Sequence, residues 1–156
     1  MTSLPQLELP VERQFRLSSW LRSELEDVQA QSIEARQGPA EMSVMNITPD
    51  LVYCKEAWPH VDPKFAGSVF FTMTIDGCMY QFGTLASPDG VLVPVGKVFR
   101  VNPLELHWLR PDPIVSTCWL ALQWVVPQNQ VSAFEQALAA AIVRWNAPGF
   151  ELPVLG

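Results

Sequence analysis

Charged side chains are scarce in this sequence, at 17% of 156 residues against 49% hydrophobic. That excludes a disordered chain, which stays unfolded through high charge and low hydrophobicity. Cysteine occurs three times, as Cys54, Cys78 and Cys118. An odd count without a C-x-x-C pair excludes a disulfide framework and points to reduced thiols in a cytoplasmic protein. Histidine occurs twice, as His60 and His107. A catalytic zinc site takes three protein ligands, two of them usually at short or helical spacing, so each histidine is expected to hydrogen-bond locally in a loop. The eight glycines form neither G-x-G-x-x-G nor a P-loop, and no G-x-S-x-G elbow is present. The start of the chain has no basic residue followed by an apolar run, so no signal peptide is expected. The longest apolar stretch, 114–126, falls short of the ~18 residues of a membrane span, so no membrane insertion is expected.

The composition supports one domain with a substantial core. The net charge of −6 repels a phosphate backbone and an acidic membrane surface. Nucleic acid is therefore not an expected partner. Basic polypeptide segments are the electrostatically matched partner, although a charge of this size also serves ordinary solubility.

Periodicity divides the chain into a flexible tail over 1–9, a single α+β domain over 10–149 and a C-terminal tail over 150–156. Leu17, Leu21, Leu25 and Val28 recur at spacings of four and three, with Phe15 and Trp20 beside them. This pattern predicts a long N-terminal helix opening at Pro10 and stopping near Gln37, before Gly38 and Pro39. Short strands are expected around 42–47 and at 51–55, and 57–64, with Pro59 and Pro63, reads as a loop. Asp76-Gly77 between alternating runs predicts a β-hairpin in which Ile75 pairs with Cys78. Val69, Phe71, Met73 and Ile75 would then share a face with Tyr80 and Phe82, leaving Thr72, Thr74 and Gln81 for solvent or a partner. Val91–Val101, interrupted by Pro94 and Gly96, reads as an edge strand or a bulge. Residues 102–113 are expected to be irregular, apart from one turn near 104–108. Residues 114–126 read as a long strand, apolar on both faces and hence central or at an interface. The closing helix carries Val131, Phe134, Leu138, Ala141, Ile142 and Trp145 on one stripe, with a capping box at Ser132/Glu135 or a cap at Asn129. The expected architecture is an antiparallel sheet of five to six strands with the C-terminal amphipathic helix packed on it.

Candidate chemistry is sparse. Cys78 and Cys118 fall on core faces and read as inert buried thiols. One stretch is similar to the second motif of the cupin barrel family: Gly96, then Asn102-Pro103, then His107-Trp108. The resemblance implies a barrel in which the histidine is a metal ligand. Asn102 and Leu104 stand where the motif has proline and glycine. The family's first motif, with two histidines and a glutamate, is not found around His60.

Six tryptophans and fourteen prolines are many for this length. Trp20, Trp108, Trp119, Trp124 and Trp145 crowd one small core, which directs some of them to an interface, where tryptophan is enriched. Small size, acidity and the order helix, antiparallel strands, long strand, C-terminal amphipathic helix resemble the class I chaperones of type III secretion, of the broad-specificity type found in plant-pathogen systems. The resemblance implies a cytoplasmic homodimer that holds the N-terminal segments of secreted effectors by strand addition, with the secretion ATPase as a further partner. It implies no cofactor, no metal and no enzymatic step. Trp20, Leu21, Thr72, Thr74 and Gln81 are the candidate protein-binding residues, and Trp108, Val115 and Trp119 the candidate dimer interface. The alternatives are a cupin-like small-molecule enzyme or sensor, and an immunity or assembly protein that binds one folded partner.

Overall fold

The computed structural model describes residues 4–77, 80–111 and 118–156. In chain order the elements are α1 (Ser19–Asp27), β1 (Glu34–Gln37), β2 (Asp50–Cys54), β3 (Ala57–His60), β4 (Ser68–Asp76), β5 (Tyr80–Thr84), β6 (Val91–Leu92), β7 (Val98–Val101), β8 (His107–Pro111), β9 (Trp119–Pro127) and α2 (Val131–Asn146). Among the described residues the fold is α+β, with two helices and two antiparallel sheets. One sheet has the order β1-β2-β9-β4-β7 and the other β3-β8-β5-β6. Counting β2 to β9 as strands one to eight, the orders are one-eight-three-six, flanked by β1, and two-seven-four-five. That is the arrangement of a double-sheet jelly roll, in which two Greek keys face each other across a core.

β9 explains why there are two cores. It lies between β2 and β4 and is apolar on both faces, as its sequence predicts. Leu120, Leu122, Trp124 and Val126 pack outward with the α2 stripe of Phe134, Leu138, Ala141, Ile142 and Trp145. Trp119 and Ala121 face inward, with Phe70, Tyr80, Phe82, Phe99 and Leu109, into the space between the sheets. The α2 helix covers the larger sheet as expected. The capping box does not form: a 3-10 turn, Gln128–Gln130, runs directly into the helix, and Gln130 makes no side-chain cap.

The long N-terminal helix is not formed. The helix is only nine residues long and is capped by Ser18, whose Oγ accepts from the Leu21 amide at 3.0 Å. Upstream, the Ser18 amide donates to the Leu155 carbonyl at 2.9 Å and the Leu155 amide to the Arg16 carbonyl at 3.0 Å. Downstream, Glu34–Gln37 become an edge strand on β2. Helix propensity is a weak preference, and two backbone partners outside the helix outweigh it. Segments 4–9 and 150–156, read as tails, lie against the domain. The Leu7 amide donates to the Val98 carbonyl, the Arg100 amide donates to the Pro5 carbonyl, and Leu4, Leu7, Leu152 and Leu155 are buried.

The Asp76-Gly77 hairpin is also overturned. β4 pairs with β7 and β9, whereas β5 pairs with β6 and β8, so Asp-Gly marks a crossing between sheets. Gly77 has φ +94°, and a Cβ there would lie 2.9 Å from the Trp119 Cα, so this crossing demands glycine. Cys78 lies outside the described residues. Phe71, Met73 and Ile75 consequently join the helix-side core, while Tyr80 and Phe82 enter the core between the sheets. Two expected loops are strands, β3 and β8. Pro59 is tolerated because β3 is an edge strand. The strand expected around 42–47 is a 3-10 turn, Ala40–Met42, followed by a tight turn in which Met45 and Asn46 take positive φ.

Gly83 and Trp108 are cross-strand neighbours on the outer face of the smaller sheet. A Cβ on Gly83 would meet the Trp108 indole nitrogen at 2.0 Å. Gly83→Ala is expected to cost about 1–3 kcal/mol by overpacking. In urea titrations most of that cost should vanish in the Trp108→Ala background, because the clashing ring is gone.

Candidate metal centre

β3 and β8 pair with His60 directly opposite His107. Opposed residues project to the same face of a sheet, so a register match places both imidazoles on the inner side. Their ring centroids are 4.4 Å apart. Asp62 follows His60 by two positions, and its amide donates to the Pro103 carbonyl at 2.7 Å, which holds the turn beside β8. The Asp62 Oδ2 lies 3.1 Å from the His107 Nε2 and 3.7 Å from the His60 Nε2. One donor atom from each of the three residues falls within a 4.8 Å span.

The remaining ring nitrogens set the chemistry. The His60 Nδ1 lies 2.6 Å from the Trp58 carbonyl and the His107 Nδ1 2.7 Å from the Glu105 carbonyl. A carbonyl only accepts, so both Nδ1 atoms carry a proton, which leaves each Nε2 either to donate to the Asp62 carboxylate when protonated or to ligate a metal when the ring is neutral. Metal-ligating histidines are oriented in this way. Burial pushes the His107 imidazole below its ordinary pKa, and the neighbouring His60 adds to the shift; the Glu105 carbonyl and Asp62 oppose it. The net shift favours the neutral ring, the form that can ligate a metal. Metal–donor bonds of ~2.0–2.2 Å place donors about 3 Å apart at right angles and about 3.4 Å apart at tetrahedral angles, and the Asp62 Oδ2 lies 3.1 Å and 3.7 Å from the two Nε2 atoms. His107 is buried, whereas His60 and Asp62 keep 29% and 28% of their side-chain surface, which leaves the trio open on one side.

The trio opens on a cavity of about 310 Å³ between the sheets. Its wall is mainly apolar, including Val52, Phe70, Phe82, Phe99, Leu109 and Trp119. Phe82 stacks on His107 with centroids 5.7 Å apart and planes 13° from parallel. Cys54 also lines the cavity. Burial, with smaller contributions from Cys118 and Glu56, pushes its thiol up to about 12, which favours the neutral thiol.

Sequence reasoning places the two histidines in separate loops and does not select Asp62. The available signal is His60-Val61-Asp62, since residues two apart share one side of an extended chain. The local hydrogen bonds expected of both histidines do form, and they aim the rings at a common point. Of the residues expected to bind a polypeptide, Leu21, Thr72 and Thr74 are buried at 0%, 2% and 0% exposure, because α1 packs Leu21 inward and the β4 threonines face the other sheet. Trp20 is exposed, with the Arg36 guanidinium 5.3 Å above its ring, and Gln81 is exposed on the outer face of β5. Of the expected interface residues, Trp119 is buried and donates to the Thr74 Oγ1, Trp108 is half-buried on Gly83, and Val115 lies outside the described residues. Trp124 and Trp145 fill the helix-side core.

No known family model matches the chain, and no curated protein or solved structure shows significant similarity to it. Among the described residues, no helix is long and apolar enough to cross a membrane.

On the wall facing the trio, burial raises the Asp50 carboxyl above its ordinary pKa. The folded state therefore holds that proton more tightly than the unfolded chain does. Its contribution is neutral below the unfolded pKa and becomes destabilising as pH rises through the folded value. Asp50→Asn is expected to raise the melting temperature at pH 7 and to leave it unchanged near the acid limit, as read by thermal melts across pH.

Proposed function

We propose that this chain is a metal-dependent enzyme acting on a small molecule, with His60, Asp62 and His107 as the metal ligands. The observation that carries the reading is the convergence of two Nε2 atoms and one carboxylate at the mouth of an apolar cavity. Two histidines and one carboxylate on a single face, with the opposite positions open, form the donor set of non-haem Fe(II) oxygenases. A hydrolytic zinc centre uses the same number of protein ligands, and its bound water needs a base nearby. Among the described residues the other carboxylate lining the cavity is Asp50, on the facing sheet, and most of the lining is apolar, with Phe70, Phe82, Phe99, Val101 and Leu109 among it. An apolar surround of this kind suits redox chemistry that must exclude water, so iron is the favoured metal. Bound iron would supply dioxygen activation. The chain's own residues orient the ligands through the Trp58 and Glu105 carbonyls, shield the site with Phe82 and Phe99, and hold the substrate in the cavity. The jelly-roll strand order and the position of His107 support a cupin-like scaffold, and the free thiols Cys54 and Cys118 fit a reducing, cytoplasmic setting.

Anaerobic titration with Fe(II), followed by elemental analysis of the desalted protein, tests this reading. The expected result is about one iron per chain, with Zn(II) or Mn(II) competing for the same site. Retention of no divalent metal by the folded wild-type protein would overturn it.

A second reading, a polypeptide-binding adaptor related to secretion chaperones, retains support from the exposed Trp20 and Trp58 and from the exposed edge strand β1. It requires a homodimer that captures unfolded effector N-termini. Light scattering of the purified protein, with and without such a segment, tests it. A monomer that retains no segment counts against it.

A further inference from the structure

The floor of the cavity carries a polar row that the metal reading does not use. Asp50 pairs with Gln123, Gln123 with Thr72, and Thr72 with Phe99, each across adjacent strands of the larger sheet. Directly opposed residues share a face, and all four line the cavity. The Thr72 hydroxyl donates to the Gln123 Oε1 at 3.2 Å. That leaves lone pairs on both oxygens, on residues that line the cavity beside Asp50. No side chain among the described residues pairs with Asp50. Every fully buried side-chain nitrogen or oxygen among them has a partner, so the Asp50 oxygens face open space and are not sealed. The one cation among the described residues of the cavity wall, Lys64, is exposed and holds its Nζ 5.1 Å from the Phe65 ring.

Resting on the metal reading for its orientation, we propose that the cavity takes a small primary amine with an apolar or aromatic body, its ammonium seated on Asp50, Gln123 and Thr72. Three observations support that choice. An unpaired, partly desolvated carboxylate gains most from a cationic partner. The adjoining positions offer acceptors to the ammonium's remaining N–H groups. Phe70, Phe99 and Trp119 supply aromatic surface that tolerates a cation and packs an apolar body. The trio with a divalent ion would carry one net positive charge, which places the ammonium at the far side and the apolar body toward the metal. The cavity is at the small end of ligand pockets, roughly 300–1,000 Å³, so the ligand is a compact molecule.

Benzylamine, benzyl alcohol and benzoate serve as probes of nearly one shape and three charges. Each is titrated by calorimetry into the full chain, with Fe(II) under anaerobic conditions and without metal. Benzylamine should bind at least ~10-fold more tightly than benzyl alcohol, with benzoate weakest, since a charge-assisted hydrogen bond separates them. In Asp50→Asn, which should stay folded, benzylamine should fall to the affinity of the alcohol and the alcohol should not change. Absence of benzylamine binding, equal binding of all three, a preference for benzoate, or an amine preference that survives Asp50→Asn each overturns the inference. His107→Ala separates the two proposals: it should lose metal yet keep the amine preference of the metal-free chain. Metal binding without amine preference in the wild type refutes the amine inference alone.

Discussion

Replacing His107 by alanine is expected to lower Fe(II) affinity by at least about 100-fold while the fold survives. The substitution removes one of three protein donors, and even loss of an outer-shell partner costs 10–100-fold in comparable centres. His107 is nevertheless peripheral to what holds the molecule together. It lies on the smaller sheet, its ring sits 4.4 Å from that of His60 and stacks on Phe82, and it belongs to neither apolar cluster. Far-UV circular dichroism should remain that of the wild type, and elemental analysis after Fe(II) loading should fall from about one iron to a trace. Asp62→Asn tests the same point with less change in volume, because an amide oxygen is a weaker donor than a carboxylate. If both variants retain iron at wild-type affinity, the three residues are not the ligands.

The largest expected effect on stability lies in the other core. Trp124 has no exposure; it stacks on Trp145 with centroids 6.1 Å apart, touches Phe134 and donates its indole N–H to the Met42 carbonyl at 3.0 Å. Trp124→Ala removes that area, leaves a cavity between β9 and α2, and strands a buried carbonyl. A loss of about 3–5 kcal/mol is expected in urea unfolding, a large part of the 5–15 kcal/mol typical of a domain. Val143→Ala, on the exposed side of α2, should stay within about 0.5 kcal/mol. Where Trp124→Ala remains folded at low temperature, it should still bind iron, because the trio belongs to the core on the far side of the larger sheet. Joint loss of metal and stability in this variant would mean that the two cores do not act separately.

The amphipathic α2 stripe and the two apolar faces of β9 are legible from periodicity, because each depends on which side of one element is apolar. The same rule fails where two backbone arrangements compete. Leu17, Leu21, Leu25 and Val28 fit a helix, yet Leu155 claims the backbone at Ser18 and β2 claims it at 34–37. The Asp-Gly turn is recognisable by type, but its flanking strands go to different sheets. Thr72 and Thr74, polar on an alternating strand, read as a solvent face because nothing local announces a second sheet above them. The same misreading hides the candidate site, since the threonines line or adjoin the interior that holds the trio.

Composition and patterns within a few residues suffice for a folded, acidic α+β chain with a closing amphipathic helix and a central strand buried on both faces. They leave open that the strands form a jelly roll, that His60 meets His107, and that Asp50 faces them across a cavity. Those features depend on strand pairing between residues distant in the chain. A shift of one residue in register would turn either imidazole to the opposite face, and no local pattern encodes that choice.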